Sequence, residues 1–179
     1  MKMPSQKGFS MIEMLLVIAI IMIIAAIAAT GSGFYQSRRL MAASQQLYGD
    51  IQKTRIDAMT KSIAANSRGW GIQFDSSSQY TIFEFNDGNG NFNYDSGEAA
   101  NARQVTLQTG IAVTVKGNPA GDDNIVIFDK QGLSKATTWA GGSRTFIVQL
   151  SGVSDGRCLV LDDVRIREGI WYASKCTKQ

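Results

Sequence analysis

Lys7-Gly8-Phe9-Ser10-Met11-Ile12-Glu13-Met14-Leu15 opens a stretch in which residues 14–29 carry no polar side chain and no charge stands between Glu13 and Arg38. Soluble core helices are rarely apolar on every side. At 1.5 Å per residue, a helix over 9–35 would be about 40 Å long, enough to cross the hydrocarbon core of a bilayer. A secretory signal would also run from basic to apolar, and Ala25, Ala26, Ala28 and Ala29 could imitate its small-residue cleavage site. Glu13 argues against that reading. A lone carboxylate just inside an apolar span costs about 2.5 to 3.5 kcal/mol on insertion scales, and a chain that keeps one implies a partner for it. The plainer alternative is a single-pass anchor with Glu13 at the level of the lipid headgroups. Lys2 and Lys7 on one side face Arg38 and Arg39 on the other, so charge alone orients the span only weakly.

Beyond the apolar run the spacing stays helical. Leu40, Leu47, Ile51, Ala58 and Met59 recur at intervals suited to one face, with Arg38, Arg39, Lys53, Arg55, Asp57 and Lys61 between them. The stretch Asn66-Ser67-Arg68-Gly69 is expected to stop this amphipathic helix. Gly31 and Gly33 flank Ser32 where the two halves meet; each lowers helix stability by about 1 kcal/mol relative to alanine. They suit a hinge or a close-packing site between helices equally well.

From Trp70 onward the period shortens to runs separated by Gly, Asn, Asp and Ser. Strands are expected at 70–74, 79–85, 105–115, 125–128, 145–150, 158–161, 164–167 and 170–173. In 79–85, Thr81, Phe83 and Phe85 alternate with Tyr80, Ile82 and Glu84, so one side of that strand must meet aromatic packing. The fold class is therefore α+β: a long N-terminal helix packed on an antiparallel, β-rich head.

Composition narrows the chemistry. The chain has 179 residues, 44% of them hydrophobic and 18% charged, too apolar for a disordered protein. Histidine is absent, which removes the commonest general base and zinc ligand, and no nucleophile elbow, phosphate-binding loop or dinucleotide fingerprint is present. An enzyme is not expected; a membrane-anchored hydrolase using Asp87 and Glu98 is the remote exception. The formal charge of +3 includes Lys2 and Lys7, and without them 16 basic side chains face 15 acidic ones. That balance makes no general case for nucleic acid.

The segment 7–15 resembles the prepilin peptidase site of type IV pilins and type II secretion pseudopilins. The resemblance implies cleavage after Gly8, N-methylation of the new N-terminal Phe9, and retention of the hydrophobic helix in the mature protein. It implies for Glu13 an assembly role, compensating the terminal amine of a neighbouring subunit; an ion pair buried together costs far less than either charge alone. The implied parts are a leader at 1–8, a transmembrane and assembly helix at 9–35, an amphipathic helix at 36–68 and a head at 69–179. The order of these parts, with the Asp/Asn-rich hairpin, resembles the GspH/FimT family of minor pilins and H-type pseudopilins. That resemblance implies a type IV pilin-like fold and no required cofactor. Its partners would be other pilins or pseudopilins, the prepilin peptidase and an inner-membrane assembly platform. The implied place is the bacterial inner membrane, head outside the cytoplasm, in a pilus or a secretion pseudopilus.

Three further groups are candidates. Asp87, Asn89, Asn91, Asn93, Asp95 and Glu98 put oxygen ligands in a register suited to calcium, although Phe92 stands where glycine is expected and no helices flank the loop. The alternative is a polar hairpin turn. Arg165 and Arg167 alternate in Val164-Arg165-Ile166-Arg167, near a place where some minor pilins bind DNA through Gly-Arg-x-Arg; here valine replaces the glycine, and Asp162, Asp163 and Glu168 offset the charge. Cys158 and Cys176 form a disulfide if the head is outside the cytoplasm, contributing about 3 kcal/mol by chain entropy. Trp139 beside Gly141 and Gly142, and the Trp171–Tyr172 pair, are core or rim residues unless they meet a partner.

Overall fold

The structure is a computed structural model that describes residues 10–62, 65–95, 97–117, 124–141, 143–163 and 165–178, the side chains of 28–34 and 178 apart. Among the described residues one helix, α1 (Met11–Lys61), is followed by ten strands. The chain divides into two compact units, Met1–Arg38 and Arg39–Gln179.

In the first unit α1 exposes its apolar side chains all round, from Met11 and Ile12 to Ile24 and Ile27. Gly31 and Gly33 lie within the helix.

The second unit is built on the remainder of α1 and two antiparallel sheets. β1 (Ser67–Ser76), β2 (Gln79–Asn86), β3 (Ala99–Thr106), β5 (Ile125–Asp129) and β6 (Ser134–Lys135) form one, in the order β3-β2-β1-β5-β6. β4 (Ile111–Gly117), β7 (Arg144–Leu150), β8 (Gly156–Leu161), β9 (Ile166–Tyr172) and β10 (Lys175–Lys178) form the other, in the order β10-β9-β8-β7-β4. Ala43, Leu47, Ile51 and Ala58 of α1 enter one core with Ile72, Phe74, Tyr80, Ile82 and Phe128 of the first sheet and Val113, Phe146, Val148 and Leu159 of the second. Spacings of four and seven put these helix residues on one face, while period two selects the strand residues. The layers are also pinned by polar contacts. The Tyr80 hydroxyl donates to Asp50 Oδ2 at 2.5 Å, and Arg39 donates to the Thr109 carbonyl in the β3–β4 turn.

Several expected boundaries are corrected. α1 ends at Lys61 rather than at 66–69, because Ser67 and Gly69 pair with Asn86 and Phe85 and turn the Asn-Ser-Arg-Gly stretch into strand. Sheet pairing overrides the local stop signals there. The run 105–115 is two strands in different sheets, broken at Gly110, whose φ of 82° only glycine adopts freely. The runs at 164–167 and 170–173 merge into β9, and the chain reverses at Ala173 and Ser174. β3 extends back to Ala99; as a largely exposed edge strand rich in Asn, Arg and Gln, it lacks the alternation that reveals a strand. β6 and β10 are too short for a pattern.

Phe83 and Phe85 face away from the main core into a second buried cluster with Ile127, so both sides of β2 are covered. In the second sheet Cys158 and Cys176 are bonded, with their Cα atoms 5.9 Å apart, beside Ile147 and Trp171. A Cβ on Gly169 of the intervening β9 would stand 2.4 Å from the Thr177 carbonyl oxygen and 3.0 Å from the Cys176 sulfur, so glycine is what lets the chain pass there.

Two substitutions test this packing. A Cβ at Gly69 would lie 1.8 Å from the Phe128 carbonyl oxygen, so Gly69→Ala must push β1 and β5 apart; a loss of about 3 kcal/mol is expected in denaturant unfolding. Ala173 and Ser174, at φ 48° and 62°, occupy a two-residue hairpin turn suited to Asn-Gly. The double change Ala173→Asn, Ser174→Gly is expected to raise stability by about 1 kcal/mol by the same measurement.

Candidate assembly site

Gly8 and Phe9 lie outside the described residues, and the description begins at Ser10. Ser10 caps α1: its hydroxyl accepts from the Ile12 N–H at 3.4 Å, and its carbonyl accepts from Glu13 N at 3.0 Å and Met14 N at 3.2 Å. Glu13 is thus the acidic residue of the first helical turn, where a carboxylate meets the positive end of the helix dipole. The S-x-x-E spacing of Ser10 and Glu13 is a capping-box pattern, readable in the sequence and missed there. Glu13 stands exposed among exposed apolar neighbours, Met11, Ile12 and Met14. Among the described residues no helix is long and apolar enough to cross a membrane; in this run the described side chains end at Ile27, so the expected span of 9–35 lies partly outside them.

The loop between β2 and β3 is closed by its own hydrogen bonds. Asp87 is buried; its Oδ2 accepts from Arg68 Nε at 2.9 Å and from Phe92 N at 3.3 Å, and its Oδ1 from Gly90 N at 2.7 Å. Asn89 and Asn91 both donate to Asp95 Oδ2 at 2.9 Å. The side-chain oxygens of Asn89 and Asn91 accept from Asn91 N at 2.9 Å and Asn93 N at 2.7 Å. Glu98 accepts from Gly88 N at 3.0 Å and Asp95 N at 2.9 Å. Among the described residues no group of three or more His, Cys, Asp or Glu side chains is arranged to hold a metal ion. As folded, Asp87 is engaged by Arg68 and Asp95 by two amides, so an ion would have to displace those donors to reach either carboxylate.

Aromatic contacts hold the loop as well. Tyr94 packs on Phe83 and Phe85 with ring centroids 4.9 and 5.6 Å apart, and Phe92 meets Trp139 at 6.1 Å. The Arg68 guanidinium stacks 4.1 Å above Phe92. Phe92 has φ 63°, so it occupies the left-handed conformation that glycine would supply, held there by rings and cation on both sides. Burial by itself would raise the Asp87 pKa, but the hydrogen bonds from Arg68, Gly90 and Phe92 outweigh it and hold the carboxyl below its ordinary range.

The two arginines do not share a strand face. Arg165 precedes β9 and is exposed, while Arg167 lies within it and is paired with Asp162; Val164 lies outside the described residues. A nucleic-acid tip needs both guanidinium groups free of carboxylates, and that condition is not met at Arg167. Trp139 is half-buried against Phe85 at 5.7 Å, Trp171 is buried with Lys116 over its ring at 5.2 Å, and Tyr172 is exposed. Gly142 lies outside the described residues.

Residues 3–29 match the sequence family described as the prokaryotic N-terminal methylation motif. The chain therefore carries the N-terminal signal of type IV pilin-like precursors, and its helix with antiparallel sheets is compatible with a pilin-like fold. No curated protein and no solved structure matches it.

Because the Asp87 pKa is depressed in the folded chain, its stabilising contribution is fully present above the ordinary carboxylate range and is lost as pH falls through the lowered folded value. Melting temperature against pH should therefore drop more steeply on the acid side for the natural chain than for Asp87→Asn; superimposable acid limbs would remove Asp87 from this role.

Proposed function

We propose that this chain is a minor pilin or H-type pseudopilin of the GspH/FimT kind, assembled through its N-terminal helix into a type IV pilus or a type II secretion pseudopilus. The observation that carries the reading is the methylation motif over residues 3–29, with Glu13 in the first turn of an all-round apolar helix. The work follows from those parts. A prepilin peptidase removes residues 1–8 and methylates the amine of Phe9. The apolar helix stays in the inner membrane and then enters a bundle of similar helices. There Glu13 meets the terminal amine of a neighbour, which offsets the cost of holding a carboxylate in an apolar setting. The head stands outside the cytoplasm, where a disulfide between Cys158 and Cys176 persists, and it helps to initiate or cap the filament. No reaction is assigned to the chain itself.

Intact mass after expression with and without a prepilin peptidase tests the first step. The expected result is peptidase-dependent loss of residues 1–8 plus one methyl group; an uncut chain, or a cut near Ala29, would sink the reading. Glu13→Leu is expected to be cleaved normally yet recovered in sheared filaments at about a tenth or less of the natural level, the scale of one buried charge pair.

A further inference from the structure

Within the second unit, the C-terminal turns of α1 and the edge strand β3 border a cleft of about 200 Å³. Lys53, Lys61 and Arg103 stand at it with a single carboxylate, Asp57, over a floor that includes Trp70 and Ile82. The charges are not equally engaged. Lys61 binds Asp57 at 2.8 Å and lies 5.8 Å from the Trp70 ring centroid. Arg103 reaches Asp50 at 3.4 Å, but Asp50 already accepts the Tyr80 hydroxyl on its other oxygen. Lys53 is exposed, and among the described residues no carboxylate pairs with it. The Trp70 indole Nε1–H is buried and has no hydrogen-bond partner among the described residues.

From this we propose that the cleft is a docking site for an acidic segment of a protein partner, with a glutamate side chain as the group it holds. The volume suits one or two side chains. The ring of Trp70 and the buried Ile82 match the methylenes of glutamate, and Lys53 with Arg103 at the rim matches its carboxylate. Asp57 beside the same cations disfavours a doubly charged phosphate, which would face that carboxylate at close range. The inference goes beyond the assembly reading and does not depend on it, since it uses only residues of the second unit.

The test titrates the full chain, in nonionic detergent, with a blocked Ala-Glu-Glu-Ala peptide, its Gln counterpart and inorganic phosphate. The readout is the indole N–H resonance of Trp70, identified with Trp70→Phe. A saturable shift with the Glu peptide, absent with the Gln peptide and weakened by raising the salt, is expected. Lys53→Glu, at an exposed position outside the core, should keep the melting temperature and weaken the Glu peptide about tenfold or more. Lys53→Gln should weaken it less. No saturable shift, an equal response to phosphate or to the Gln peptide, or undiminished binding in Lys53→Glu would each overturn the proposal, whatever the outcome of leader cleavage.

Discussion

In the second unit everything rests on one buried stripe of helix. Ala43, Leu47, Ile51 and Ala58 are excluded from water, and they touch a core to which both sheets contribute. Full burial of side chains such as Leu47 and Ile51 is worth about 1.5 to 3 kcal/mol each, an upper figure because unfolded chains are already partly compact. Without that stripe each sheet would keep an apolar face in water. The helix therefore acts as the element against which two separate five-stranded sheets complete themselves.

The first sheet is unusual in being covered on both faces. Its inner face meets the helix, and its outer face is roofed by the loop that joins β2 to β3. Phe83 and Phe85 supply the floor, Tyr94 and Trp139 the contacts above it, and Arg68 joins the two by stacking on Phe92 while bonding Asp87. A chain so rich in Asn, Asp and Gly would otherwise be a solvated turn. Here its side-chain oxygens cap its own backbone N–H groups, satisfying donors that would be costly to leave bare.

Charge in the head is mostly local. Asp57 with Lys61, Asp129 with Lys135 and Asp162 with Arg167 are short pairs at or near the surface, each worth little by itself. Other contacts reach across the chain instead: that of Arg68 with the buried Asp87, and that of Tyr80 with Asp50, where burial, then the carboxylate, raises the phenol pKa far above its ordinary value. The Tyr80 contact joins the helix to β2 by a charge-assisted hydrogen bond and leaves Arg103 at the margin of the adjoining cleft.

Read alone, the sequence determined what depends on short-range pattern: the apolar run with its single carboxylate, the helical stripe from Leu47 to Ala58, and the change to period two after Trp70. These are legible because 3.6-residue and two-residue repeats are local consequences of backbone geometry. Leader cleavage at Gly8 and methylation of Phe9 rest on the motif and lie outside the described structure. Tertiary contact decided the rest. Whether 66–69 ends a helix or starts a strand was settled by pairing with β2, and whether 105–115 is one strand or two by the turn at Gly110. The oxygen-rich loop has the composition of a cation site, yet a partner distant in sequence, Arg68, holds its buried Asp87, while Asp95 and Glu98 accept from donors within the loop. Only the fold brings Lys53, Trp70 and Arg103 to one cleft, because contacts between residues far apart in the chain leave no period in it.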